Sequence, residues 1–233
     1  MIGWVLIGLL VFWLAVNLVK EPGDFLNIAL IGLTNGTVYG LVALGYTLVY
    51  GILQLINFAH GDVFALSGLF ASTVIVSLLG LDESSGVLVI VGGMLATLVI
   101  VMALFSGVNV LIELVAYRRL RRAPRLAPLI TAVGMSFIVQ NVALAIYAVN
   151  YRDVPNFIPR SDVFSIAGVH YTWNKLAVLI ITIPVLALLT WFVQQTRQGK
   201  AMRAVAQDPE ASAIMGINVN RTISVTFAIA GAL

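Results

Sequence analysis

Long apolar runs broken by short polar punctuation organise the chain, and most of the runs are too long for the core helices of a globular domain. Ile2 to Val19 is apolar apart from Asn17. No basic stretch precedes it and no small-x-small cleavage site follows, so it reads as a retained membrane helix rather than a cleaved leader. Pro22 and Gly23, in the link from Lys20 to Asp24, close that element. Phe25 to Ile56 then carries no formal charge. As one helix it would measure roughly 48 Å at about 1.5 Å per residue, against a hydrocarbon core of about 30 Å. Two full crossings would need about 40 residues, so the pattern predicts one crossing plus a broken or re-entrant piece, with Gly45 and Gly51 as breaks. Val63 to Leu81, Val87 to Ile112, Leu126 to Val149 and Leu176 to Val193 read as further spans, the last kinked at Pro184. Pro124 and Pro128 break the helix before the Leu126 span. A final span, with Asn220 as its cap, starts at Thr222 and stops at Leu233, which reads as an incomplete chain. The expected fold is an all-α polytopic membrane protein with a broken or re-entrant segment around residues 45–62. Residues 1–24 form an extra N-terminal transmembrane helix and link, and 25–233 a transmembrane domain.

Composition agrees, with 61% hydrophobic and 10% charged residues and a mean hydropathy of +1.03. A net charge of +3, from 13 Lys+Arg against 10 Asp+Glu, is too small to imply nucleic acid. What matters is where the basic residues lie: at Arg118, Arg119, Arg121, Arg122 and Arg125, and again at Arg197, Lys200, Arg203 and Arg221. The positive-inside rule makes both segments cytoplasmic, and leaves Asp82 to Ser85 and Asn150 to Lys175 external. The latter loop mixes Arg152, Asp153, Arg160 and Asp162 with aromatic residues, and His170 within it reads as a solvated loop residue with no second metal-type partner. With no cysteine, disulfides, thiol catalysis and Cys-ligated metals are excluded.

Between Phe25 and Leu81 the strongly polar cluster is N-F-A-H-G-D, Asn57 to Asp62. Ionisable groups at membrane depth are costly and point to a functional site. The segment is read as the break between two helical pieces: Asn57 and His60 satisfy freed backbone groups, Gly61 gives a close turn, and Asp62 caps the next helix. Asn35 and Tyr39 lie beside a ridge formed by Gly32, Gly36 and Gly40, where they pack closely or bond across helices or to a solute. Glu113 is read as an interfacial carboxylate near Tyr117 and the arginines rather than a proton relay. In the segment 194–222, Gly199 precedes a helical stretch from Lys200 to Ala206 that includes Arg203. After it, Asp208 is placed as an N-cap, Pro209 at the first position, Glu210 in the first turn and Gly216 at a left-handed stop, giving a two-turn helix with Ala211, Ile214 and Met215 as an apolar face. There is no G-x-x-x-x-G-K-[ST], no H-E-x-x-H, no G-x-S-x-G and no paired intramembrane carboxylates. No catalytic residue, metal site or cofactor is therefore assigned to this chain.

Three blocks, GLTNGTVYGLVALGYTLVYGILQLINFAHGD, AYRRLRRAPRLAPLITAVGMSF and GKAMRAVAQDPEASAIMGINVNR, resemble, in the same order, those of permease subunits of branched-chain amino-acid ABC importers. The similarity covers residues 25–233; the first helix is extra relative to many members, and family chains continue through further helices. The resemblance implies an inner-membrane permease that works with a second permease, two ATP-binding cassette subunits that hold the ATP, an external solute-binding protein and surrounding lipid. It would pass branched-chain or related hydrophobic amino acids across the membrane, with 194–222 as the loop inserted into the ATPase. Alternatives are a permease for urea or short amides, a self-contained proton-coupled transporter or channel using His60 and Asp62, and an intramembrane enzyme using that pair as acid and base. In a chain without cysteine, a single cysteine at position 121 should resist impermeant reagent in intact cells; labelling there would overturn the topology.

Overall fold

In lipid every backbone polar group must be satisfied within its own segment, so each apolar run becomes a helix. The computed structural model describes residues 2–82, 85–121, 123–124, 126–148, 157, 162–166 and 169–233. Glu83, Ser84, Arg122, Arg125, most of the expected external loop after Tyr147 and the side chain of His170 lie outside the described residues. Helix α1 (Ile2–Lys20) and α2 (Pro22–Leu53) are separated only by Glu21, because Pro22 and Gly23 fall in the first turn of α2, where a missing N–H costs no hydrogen bond. Helix α3 (Ala59–Thr73) runs on into a π-helical turn, Val74–Leu78. Helix α4 (Val87–Ile112) continues through a π-helical turn, Glu113–Tyr117, and a 3₁₀ turn, Arg118–Leu120. Then come α5 (Leu126–Tyr147), α6 (Trp173–Gln195), α7 (Arg197–Gln207), α8 (Pro209–Ile214) and α9 (Val219–Ala232). Among the described residues six helical stretches are long and apolar enough to cross a membrane, which makes this a multi-pass helical protein.

Several expectations need correction. Helix α2 is continuous over 32 residues, so neither Gly45 nor Gly51 breaks it. A glycine inside a helix costs only about 1 kcal/mol relative to alanine, and Gly45 serves close approach instead: a Cβ there would lie 2.8 Å from His60 Nε2. The break falls at residues 54–58, opened by Gln54 in the left-handed region at φ 52°. One continuous helix of this length fits a single crossing, with tilt or overhang to absorb the excess. Pro128 sits inside the first turn of α5 rather than before it. The cap of α9 is Asn218, whose side chain accepts from the Arg221 N–H at 3.0 Å; Asn220 lies inside the helix. The stretch expected to be loop contains an antiparallel hairpin, β1 (Asp162–Ile166) with β2 (Val169–Thr172). Its β-branched and aromatic residues favour strand locally, a signal too short to stand out among the spans.

The chain divides into two compact units. In the first, Met1–Tyr39 with Ile158–Val185, buried Thr34 shares a 3.1 Å hydrogen bond with the Tyr171 hydroxyl, and Lys175 Nζ lies 5.9 Å from the centre of the same ring. The second, Gly40–Phe157 with Leu186–Leu233, holds a core that includes Val49, Val63, Phe105, Ile112, Tyr117, Phe227 and Ala230. Its largest helix interface joins α4 to α9. Ser106 Oγ donates to the Ala228 carbonyl at 2.6 Å across that interface, and Gly231 packs so tightly that a Cβ would run into the Phe105 carbonyl and lie 2.7 Å from Asn109 Cβ. Gly231→Ala should therefore destabilise the protein by about 1–3 kcal/mol through overpacking. Gly107→Ala, on the same helix pair but with no neighbour within 4 Å, should be neutral or slightly stabilising; thermal melting of the two variants in detergent checks the contrast.

Candidate functional site

The break at 54–58 is held from α4. Tyr117, 1% exposed, donates its hydroxyl to Asn57 Oδ1 at 3.2 Å and reaches the Ile56 carbonyl at 3.5 Å, while its ring packs on Phe227. Asn57 therefore accepts from a phenol instead of serving freed backbone groups. His60 does meet backbone: its Nε2 lies 3.3 Å from the Val42 carbonyl of α2, so Nε2 donates, in the space that Gly45 leaves. That carbonyl lies inside the helix and is not one freed by the break. Gly61 makes no turn, since it lies in α3 and lacks a positive φ. Nor does Asp62 cap α3: the N-cap is Phe58, which forms no side-chain cap. Asp62 sits in the first turn, where the helix dipole still favours a carboxylate, and accepts from Ser136 Oγ at 2.5 Å and Gln140 Nε2 at 3.0 Å on α5. His60 and Asp62 thus engage different helices.

A second cluster forms where α4 ends. Glu113, 0% exposed, accepts from Arg118 Nε and Nη2, each at 3.3 Å, from Arg121 Nη2, and from Ser224 Oγ at 2.8 Å. Arg121 Nη1 also donates to Asn220 Oδ1 at 2.7 Å, so the cluster fastens the first two turns of α9 to α4. Burial pulls the Arg121 guanidinium below its ordinary value; Glu113 opposes that shift and Arg118 adds to it. The sequence placed Glu113 beside the arginines, but its partners on α9 were missed, as were Ser136 and Gln140. Their spacing of four residues, which puts both on one face of a span, was the signal available for the latter pair.

The basic segment is locally determined. Thr196 caps α7 by accepting from the Gly199 N–H at 3.0 Å, so Gly199 lies inside the helix rather than before it, against the carbonyls of Phe192 and Val193. Arg203 Nη2 donates to the Gln194 carbonyl at 3.1 Å. Asp208 Oδ1 accepts from the N–H groups of Glu210 (2.9 Å) and Ala211 (3.0 Å), Pro209 opens α8, and Gly216 stops the turn at φ 83°. Ser212 is the buried residue of α8, whereas Ile214 and Met215 are 86% and 82% exposed and Ala211 is exposed with them. Asn35 and Tyr39 are exposed on the part of α2 that belongs to the first unit. A Cβ at Gly32, Gly36 or Gly40 would meet no atom within 4 Å. Among the described residues no group of three or more His, Asp or Glu could hold a metal ion.

A family described as the permease component of the branched-chain amino acid transport system matches residues 28–233. The chain belongs to that family. It is 37% identical over 207 residues to the high-affinity branched-chain amino acid transport system permease protein BraD of Pseudomonas aeruginosa, and 34% identical over 208 residues to the permease protein LivH of Escherichia coli. Each match covers 87% of this chain but only 66% and 65% of those relatives, respectively. No solved structure gives a significant match. With six membrane-length helices among its described residues, this member of the family is a multi-pass protein of the inner membrane. Within it, removing one partner from a buried charge cluster strands the other, so Glu113→Leu should cost roughly 3–5 kcal/mol. The double variant Glu113→Leu with Arg121→Met should recover part of that loss in thermal melts.

Proposed function

We propose that this chain is the membrane permease subunit of an ATP-driven importer, passing branched-chain or related hydrophobic amino acids across the inner membrane. The observation that carries the reading is the family match over residues 28–233, supported by the names of the relatives. In this reading the chain is non-catalytic: ATP is bound and hydrolysed by two cassette subunits, a second permease completes the pathway, and an external protein delivers the solute. The open Gly32-Gly36-Gly40 ridge suits the close approach of another membrane helix.

Coupling to ATP needs a rigid cytoplasmic contact, and α8 supplies one. Its two-sided capping makes it stiff despite its six residues, and its exposed Ala211, Ile214 and Met215 offer an apolar face for a groove on the ATPase. Gly199, Arg203, Asp208, Glu210 and Gly216 hold or border that element. The segregation of His60 onto α2 and Asp62 onto α5 disfavours the proton-pair alternative.

Reconstitution with the two ATPases, the second permease and the binding protein should give leucine uptake that depends on ATP; uptake of urea or short amides in place of leucine would redirect the assignment. Ala211→Trp should abolish co-purification of the ATPase at matched expression while the membrane helices stay folded. Gly216→Val should weaken it too, because a β-branched residue is disfavoured at φ 83°. Undiminished co-purification and normal ATP hydrolysis in both variants would refute the contact.

A further inference from the structure

Helix α7 follows the membrane-length helix α6 with only Thr196 between them, and two contacts fix the direction it takes. Gly199 packs so closely on the end of α6 that a Cβ there would run into the Phe192 and Val193 carbonyls. Arg203 Nη2 donates to the Gln194 carbonyl at 3.1 Å, although the two residues are 9 apart in the chain. In a straight continuation of α6 they would be separated by about 13.5 Å at about 1.5 Å per residue, too far for an arginine side chain to span. Helix α7 therefore folds back across the end of α6 and stays at the height where that span leaves the bilayer. Trp191, exposed one turn before α6 ends, is the amphipathic aromatic expected at headgroup level.

The two sides of α7 differ in kind. Gly199, Met202 and Val205 are buried, so no apolar face is left to insert into lipid. On the opposite side Arg197, Lys200 and Arg203 are all exposed, at three-residue steps that keep them on one broad face. The helix contains no Asp or Glu. Arg197 and Lys200 have no ion pair and no side-chain hydrogen bond among the described residues, and Arg203 uses one guanidinium nitrogen on Gln194. The carboxylates that follow lie past the last turn, Asp208 with its Oδ1 engaged in capping α8.

Three cations without counter-charges at the edge of a bilayer are the complement of a phosphodiester headgroup. We propose that α7 is an interfacial helix whose Arg197, Lys200 and Arg203 bind the headgroups of anionic phospholipid at the membrane surface where α6 ends. The potential of anionic lipid falls off within about 8 to 10 Å at ordinary ionic strength. A basic helix feels it only when held at this height, which the Gly199 and Arg203 contacts ensure. Arginine takes a phosphate through two parallel N–H donors, and lysine takes it as a point charge. Asp208 both ends α7 and caps α8, so what holds α7 to the surface also sets the height of α8. The proposal depends on α6 as a membrane helix and not on the transport reading.

A chain without cysteine allows a local test. The full chain with Gln207→Cys, exposed at the end of the same helix, is labelled with a small fluorophore and placed in phosphatidylcholine nanodiscs. These contain, at equal mole fraction, either phosphatidylglycerol or phosphatidylcholine that carries a nitroxide on the acyl chain next to the headgroup. The phosphatidylglycerol should quench at least about twofold more strongly, and the ratio should fall toward unity as salt rises to about 0.5 M. Arg197→Gln with Lys200→Gln should bring the ratio near unity in protein whose melting temperature is unchanged, whereas Arg197→Lys with Lys200→Arg should keep it. Lys175→Gln, at the opposite end of α6, should leave it as in the parent. Absence of quenching by either lipid would overturn the interfacial placement. Equal quenching by both in the parent, or a preference that survives the double glutamine variant, would overturn the headgroup site. Loss of the preference on adding inorganic phosphate at constant ionic strength would assign the stripe to free phosphate and overturn the lipid assignment as well.

Discussion

A carboxylate with no exposed surface must find its counter-charges inside the protein, and Glu113 dictates much of the fold where α4 ends. Two arginines from the same turn region and a serine from α9 converge on it. An ion buried this completely is stable only when its lone pairs are occupied, since desolvation outweighs an imperfect pair. The π-helical turn Glu113–Tyr117 belongs to the same arrangement. It widens the helix where Glu113 turns inward, and it ends at Tyr117, whose hydroxyl holds the break through Asn57. One local departure from α-helix thus ties together α4, α9 and the 54–58 segment, in keeping with the frequent placement of such bulges at functional positions.

Close approach does in the hydrocarbon region what apolar burial does in water. Lipid gives no hydrophobic drive for helices to associate, so contact area and backbone proximity decide. Gly231 brings α9 onto the Phe105 carbonyl, and Gly45 admits His60 to the Val42 carbonyl. Both glycines have ordinary helical conformations; what they contribute is a missing side chain. Gly216 is different, because there the backbone itself lies at positive φ.

The stretch from α7 to α9 combines a rigid element with a hollow behind it. Helix α8 is too short to persist alone, yet its capping by Asp208, its stop at Gly216 and the buried Ser212 hold it to the bundle. An element fixed at its ends and open on two faces can be pushed from one face and braced from the other.

Much of this was legible in the residues alone. The spans, the family, the end of α4 at Ile112 and the Asp208-Pro209-Gly216 construction follow from signals contained within a few residues: apolar length, a capping side chain, a proline at a first turn, a glycine at a left-handed stop. Such signals act locally and need no knowledge of what packs where. The polar cluster at 57–62 stood out in the sequence, but the contacts assigned to it are not the ones it forms. Whether Asn57 serves backbone or Tyr117, and whether Asp62 caps α3 or receives Ser136 and Gln140, depends on which helix stands opposite, and that is settled only when distant segments pack. The uninterrupted course of α2, the partners of Glu113 and the pocket behind α8 belong to the same class, because each depends on side chains brought together from far apart in the chain.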